Sequence, residues 1–236
     1  MRYIVAMPSQ TPIRSIGIIM DGNRRWAKAR GLPSLEGHRQ GYEALKRLSK
    51  DATRMREVYG LEYVTLFAFS TENWQRSAEE VSYLMDLFGI GIDEMMLSHA
   101  SDIRIRIVGD RERFSKSLQD KFSILEEKTK DNAGTTVSFA LSYGGRAEIL
   151  HAAGELAKSG EEWSEENFSK HLWATGIPDP DLIIRTSGEQ RISGFLTWQG
   201  VYSELFFTET LWPDFSVEEL EKIFAEFYER ERRHGK

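Results

Sequence analysis

Four segments of the chain concentrate the residue types that bind phosphate. They are Asp21-Gly22-Asn23-Arg24-Arg25-Trp26, Ser70-Thr71-Glu72-Asn73-Trp74-Gln75-Arg76, Tyr143-Gly144-Gly145-Arg146 and Arg185-Thr186-Ser187-Gly188-Glu189-Gln190-Arg191-Ile192-Ser193. The planar fork of arginine matches phosphate oxygens. Glycine and serine loops at helix starts offer backbone N–H groups to an anion. A hard oxygen ligand such as Asp21 suits Mg²⁺, which is commonly held by carboxylates together with phosphate oxygens. Each segment alone reads as a turn or as solvated surface. Together they predict a diphosphate site. His38, in Gly37-His38-Arg39-Gln40-Gly41, reads either as a polar cap or as a phosphate donor at a helix start. Trp26 and Trp74 either plug the rim or wall a pocket for an apolar tail.

These segments need elements that bring them together. Apolar runs predict strands over 15–20, 63–68, 103–109, 135–143, 182–185 and 204–208. Amphipathic stretches predict helices over 38–59, 78–100, 114–130, 146–159 and 165–173. A last helix starts at Ser216, with Glu219 completing a capping box. Strand–helix alternation implies a single α/β domain over 1–236, with a mainly parallel sheet of about six strands flanked by helices. In such sheets ligands bind at the carboxyl ends of the strands, so the four segments share one rim. The helix over 78–100 is apolar around much of its circumference and carries Gly89 and Gly91. It reads either as a plain core helix or as the wall of an apolar tunnel in which the glycines leave room. A charged head and an apolar tail together describe an isoprenoid diphosphate.

Composition narrows the class. The 236 residues are 29% charged and 40% hydrophobic, which excludes a disordered, collagen-like or coiled-coil chain. A net charge of −6 argues against bulk nucleic-acid binding. The absence of cysteine excludes disulfides and thiolate chemistry. No apolar run approaches the roughly 20 residues of a membrane span, and the apolar part of the N-terminus is too short for a secretory signal. The expected protein is cytoplasmic.

The segments resemble those of the cis-prenyltransferases, the undecaprenyl diphosphate synthase family. IGIIMDGNRRWAKARGLPSLEGHRQG, LFAFSTENWQRSAEEV, IRIVGDRERF, LSYGGRAEI and PDPDLIIRTSGEQRISGFLTWQGVYSELFFTETLWPDF follow the family's order from residue 16 to 215. Arg233-His234-Gly235 resembles its C-terminal Arg-x-Gly element. The resemblance implies a homodimer that condenses isopentenyl diphosphate with an allylic diphosphate, Mg²⁺-dependently, releasing diphosphate and forming a cis double bond. It implies peripheral membrane contact for release of the product. By position, Asp21 would be the essential carboxylate and a metal ligand. Gly22, Asn23, Arg24, Arg25 and His38 would hold the allylic diphosphate, with Trp26 beside it. Ser70, Thr71, Glu72, Trp74 and Arg76 would shape the reacting end, and Asn73 would handle or position the proton. Arg185, Arg191, Ile192 and Ser193 would bind isopentenyl diphosphate. Glu204 would be a second metal-linked carboxylate, and Arg233 and Gly235 would reach the isopentenyl site across the dimer.

Two positions depart from the family pattern. Ser34 stands where an arginine is usual, four residues before His38, and Gln190 stands where some members have a metal-linked histidine. Two other classes compete. A non-catalytic scaffold subunit would lack residues such as Asp21, Asn73 and Arg191, which are present. An unrelated phosphotransferase would show a Walker-type lysine loop, and the chain has none.

Overall fold

The computed structural model describes residues 12–97 and 102–230. Six parallel strands form one sheet: β1 (Ser15–Ile19), β2 (Tyr63–Ser70), β3 (Arg104–Val108), β4 (Thr136–Tyr143), β5 (Leu182–Arg185) and β6 (Glu204–Phe207), in the order β3-β4-β2-β1-β5-β6. All five pairings are parallel. Every residue of β1 and β5 is buried, whereas the edge strand β6 buries only Phe206. Unbroken apolar runs are what a parallel sheet covered on both faces requires of its central strands.

Eight helices follow in chain order: α1 (Asn23–Ala29), α2 (Ser34–Ser49), α3 (Ala52–Tyr59), α4 (Ala78–Leu97), α5 (Lys116–Thr129), α6 (Gly145–Ser159), α7 (Glu165–Lys170) and α8 (Val217–Glu229). The main core joins one side of the sheet to α2, α3, α4, α5 and α8 through residues such as Ala44, Met55, Ile92, Phe122 and Phe224. Ala152 and Leu156 of α6 pack with Phe168 of α7 in a separate cluster. The chain runs from β1 to β2 on one side and later from β5 to β6 on the other. The neighbours β1 and β5 therefore flank the point where the winding reverses, the usual ligand crevice of an open α/β sheet.

Three expectations need correction. The single helix over 38–59 is two helices, because Lys50 N–H and Asp51 N–H turn back to the carbonyls of Arg47 and Leu48 and close α2. The segment after β1, read as a loop, holds α1. The capping box at Ser216 is half made: Ser216 Oγ accepts from Glu219 N–H at 3.3 Å, but the Glu219 carboxylate turns to Thr208 Oγ1.

Candidate active site

Asp21 follows β1 and Arg185 ends β5, so the reversal of winding sets them side by side. Arg185 Nη2 donates to Asp21 Oδ2 at 2.9 Å and Arg25 Nη2 to the same oxygen at 3.2 Å. Gly22 N–H donates to Oδ1 at 2.7 Å. Gly22 has φ +109°, and a Cβ there would lie 2.9 Å from Leu211 Cδ2, so the turn excludes a side chain. Burial pushes the Asp21 carboxyl up, but hydrogen bonds from Arg185 and Ser187 and the charges of Arg185 and Arg25 outweigh it and hold it below its ordinary range. Asp21 is therefore ionised at neutral pH.

Arg185 is almost wholly buried, and its Nη1 donates to Arg191 O at 2.7 Å and to Ser193 Oγ at 2.8 Å. Its buried Nε has no partner, an orphan donor of the kind that an anionic ligand satisfies. Arg25 donates to Ser187 O at 2.9 Å and reaches Glu189 at 3.3 Å, and Arg191 also pairs with Glu189. Ser187 and Ser193 sit at φ +84° and +50°. Non-glycine residues in this region carry a backbone cost and cluster at functional loops.

An open cavity of about 730 Å³ lies before Asp21, lined among others by Gly22, Asn23, Arg24, Arg25, Lys28, Ser34, His38 and Arg76. Its walls are α1 and the start of α2, pressed together: a Cβ at Gly37 would lie 2.0 Å from Asn23 O, and one at Gly41 2.4 Å from Asn23 Oδ1. His38 is in the second turn of α2, buried, with Nε2 2.9 Å from Glu80 Oε1, and Arg76 Nη1 donates to that same oxygen at 2.8 Å. Burial holds the His38 pKa below its ordinary value despite Glu80, and the charges of Arg76 and Arg24 act in the same sense as burial. Burial pushes Glu80 up, but the hydrogen bond from His38 and the charge of Arg76 keep it below its ordinary range.

A second, apolar cavity of about 120 Å³ adjoins the first. It is lined by Leu84, Leu87, Phe88, Gly91, Ile92 and Met95 of α4 together with side chains such as Phe67, Phe139 and Leu141 from the sheet. Met20, Asn23 and His38 line both cavities. The volume is below the roughly 300–1,000 Å³ of a typical small-molecule site. The two glycines of α4 differ. Gly91 faces the Tyr42 ring, where a Cβ would lie 3.2 Å from Cε2, and lines the apolar cavity; Gly89 faces outward, with only Lys121 Nζ at 3.9 Å.

The prenyltransferase family model, described as undecaprenyl diphosphate synthase, matches residues 19–235. The isoprenyl transferase of Chromobacterium violaceum is 48% identical over 227 residues, 95% of this chain and 89% of that protein. The chain belongs to the undecaprenyl diphosphate synthase family of cis-prenyltransferases. The isoprenyl transferase of Thermotoga maritima is 46% identical over 93% of this chain and 95% of its own length. The solved lavandulyl diphosphate synthase of Lavandula x intermedia, in complex with dimethylallyl diphosphate, superposes with a TM-score of 0.86 at 36% identity, over 96% of this chain and 99% of that one. A Campylobacter jejuni structure assigned as an undecaprenyl diphosphate synthase gives 0.80 at 32% identity, over 96% of this chain and all of that one.

Not every residue expected by resemblance to cis-prenyltransferases stands at these cavities. Trp26 turns the other way: its Nε1 donates to Asp214 at 2.7 Å and Arg30 stacks on its ring at 4.1 Å. Trp74 packs against Phe69 and Phe114, with Arg113 over its ring and Nε1 on Ser142 Oγ at 2.9 Å. Thr71–Gln75 form a tight turn after β2, capped where Asn73 Oδ1 accepts Ser70 N–H at 3.0 Å. Thr71 lies against Gly144, where a Cβ would sit 2.7 Å from its Oγ1. Glu72 is exposed at that turn. Ile192 packs on the apolar cluster beneath its loop. Glu204 starts β6 and pairs with Arg230 at 3.0 Å. It lies at the amino end of the sheet, whereas Asp21 lies beyond the carboxyl end, so one subunit does not bring the two carboxylates together. Arg233 and Gly235 fall outside the described residues. The sequence reading missed Lys28 and Glu80 as site residues, and it named Ser187 within a rim segment without giving it a role. The i,i+4 spacing of Arg76 and Glu80 was the available signal for one of them.

Proposed function

We propose that this chain condenses isopentenyl diphosphate with an allylic diphosphate to give a cis-polyprenyl diphosphate and inorganic diphosphate. The observation that carries the reading is the meeting of a cation-lined cavity and an apolar cavity at Met20, Asn23 and His38. The allylic head lies among Arg24, Arg25 and His38, and its tail runs along α4. Isopentenyl diphosphate lies on the other side of Asp21, at Arg185, Arg191 and Ser193. The C–O bond of the allylic diphosphate breaks, C4 of isopentenyl diphosphate bonds to the allylic C1, and a C2 proton leaves to form the new double bond. Asn73 is a weak base already engaged by Ser70 N–H, so it positions groups and a phosphate oxygen takes the proton.

Magnesium fits this donor set in one way. Among the described residues no three His, Asp or Glu side chains cluster as a metal cage, and Asp21 is surrounded by arginines. Asp21 would therefore hold a dication only together with the negative charge of a diphosphate. Bound there, Mg²⁺ neutralises charge on the leaving diphosphate; the arginines provide the same stabilisation from fixed positions.

The reading includes a homodimer acting in the cytoplasm. Val201 and Tyr202 are 69% and 79% exposed, and Leu205 and Phe207 of the edge strand β6 are also exposed. Such a contiguous apolar edge favours pairing with a second copy. No described helix is long and apolar enough to cross a membrane, so contact with lipid at product release would be peripheral.

Chromatography of products formed from labelled isopentenyl diphosphate with geranyl, farnesyl or geranylgeranyl diphosphate tests the function. Elongated products dependent on Mg²⁺ are expected; no incorporation with any primer overturns it. The same assay separates the two glycines. Gly91→Leu is expected to shorten the product by filling the cavity beside Tyr42, and Gly89→Leu to leave its length unchanged. Equal distributions from both folded variants would remove α4 from the path of the tail.

A further inference from the structure

The cations around the larger cavity are not equally available to a ligand. Arg25 is committed to Asp21, Ser187 and Glu189. Arg76 is committed to Glu80. Arg30 and Arg39, which flank the same segment, are paired with Asp214 and Glu36. Only Arg24 and Lys28 line the cavity without a hydrogen bond or ion pair from their side chains among the described residues. They are four apart on α1 and so share one face of the helix, a turn apart. Ser34, uncharged and exposed, lines the same wall.

We infer that Lys28 is a diphosphate-binding residue, gripping the terminal phosphate of the allylic substrate while Arg24 holds the phosphate bonded to carbon beside the fixed charge of Arg25. This rests on the proposed prenyl-transfer function and adds to it a residue that neither the motif resemblance nor the polar-loop reading assigned. The order along α1 gives the polarity. Arg25 contacts Asp21 directly, and Lys28 lies about a turn further along α1. The reacting carbon must stay near Asp21, so the outer phosphate points towards Lys28. A lysine ammonium acts there as a point charge with three donors, suited to a terminal phosphate that carries most of the anionic charge. With serine at position 34, Lys28 is, beside Arg24, the uncommitted cation on this wall among the described residues.

The test is steady-state kinetics with Lys28→Gln and Lys28→Arg, together with calorimetric titration of inorganic diphosphate. Lys28→Gln is expected to raise KM for the allylic diphosphate about tenfold, equivalent to about 1.4 kcal/mol. KM for isopentenyl diphosphate should change less than twofold, and kcat less than threefold. Lys28→Arg should restore the allylic KM. The salt dependence of that KM should flatten in Lys28→Gln, because a screened charge has been removed; a merely structural role would not change it. Ser34→Arg in the Lys28→Gln background should recover most of the loss. Equal movement of both KM values, or none, overturns the assignment. If the wild type transfers no prenyl group, the functional reading fails while the titration still decides Lys28: about tenfold weaker diphosphate binding by Lys28→Gln supports it, and unchanged binding overturns it.

Discussion

Asp21→Asn is expected to reduce prenyl transfer at least a thousandfold while the protein remains folded. The carboxylate is the one acidic group between Arg25 and Arg185, and it is held ionised by them. An amide of the same shape still accepts hydrogen bonds but loses the charge that a metal–diphosphate complex needs. Removing a single preorganised electrostatic contact typically costs about a hundred- to a thousandfold in rate, and loss of the metal's anchor adds to that. Asp21→Ala should be as inactive but also less stable. It leaves Nη2 of the buried Arg185 without its carboxylate, at a cost of about 1–3 kcal/mol. The measurement is turnover with saturating substrates and Mg²⁺, beside thermal unfolding of both variants. Asp21→Asn retaining more than a few per cent of the wild-type rate would contradict the role.

Arg185→Met is expected to raise KM for isopentenyl diphosphate about a hundredfold, at about 1.4 kcal/mol per decade, and to move the allylic KM much less. Arg185 ties three things together: the Asp21 carboxylate, Ser193 Oγ and the carbonyl of Arg191. Without it the left-handed Ser193 loses its hydrogen-bond donor, and the loop after β5 no longer presents Arg191 in one place. Stability should fall by about 2 kcal/mol, less than for a fully dry ion pair because Asp21 is partly exposed. Separate saturation curves for the two substrates decide the matter. An unchanged KM for isopentenyl diphosphate would place that substrate elsewhere.

The six strands were legible because the central ones are unbroken apolar runs and parallel sheets demand such runs. The rim was legible from the same rule, since polar residues that follow a parallel strand gather at one end. Applied to Glu204, that rule separates it from Asp21 within one subunit: a residue that begins β6 sits at the opposite end from one that follows β1. The segment 23–29 was not legible as a helix. Arg, Lys and Ala favour a helix, but no apolar stripe marks one. That omission hid two facts. Side chains two apart on a helix point about 200° apart, so Trp26 cannot share the face of Arg24 and Lys28. Side chains four apart do share a face, which brings Lys28 to the cavity. Arg185 was legible as a rim residue but not as a brace, because its partners Asp21 and Ser193 meet only across β1 and β5. Nor did the pattern of α4 distinguish its two glycines; the outcome depends on Tyr42, which lies on a different helix.

The proposed function requires that the cation-lined and apolar cavities receive the head and the tail of one substrate. A crystal structure with the unreactive thiolodiphosphate analogue of farnesyl diphosphate and Mg²⁺ tests it most directly. The predicted result is the diphosphate within hydrogen-bond distance of Arg24 and Lys28, beside Arg25, with the farnesyl chain passing Met20 and His38 and running beside Gly91, and with the apolar cavity enlarged to hold it. A diphosphate bound away from α1, or a farnesyl chain lying outside the α4 wall, would contradict it.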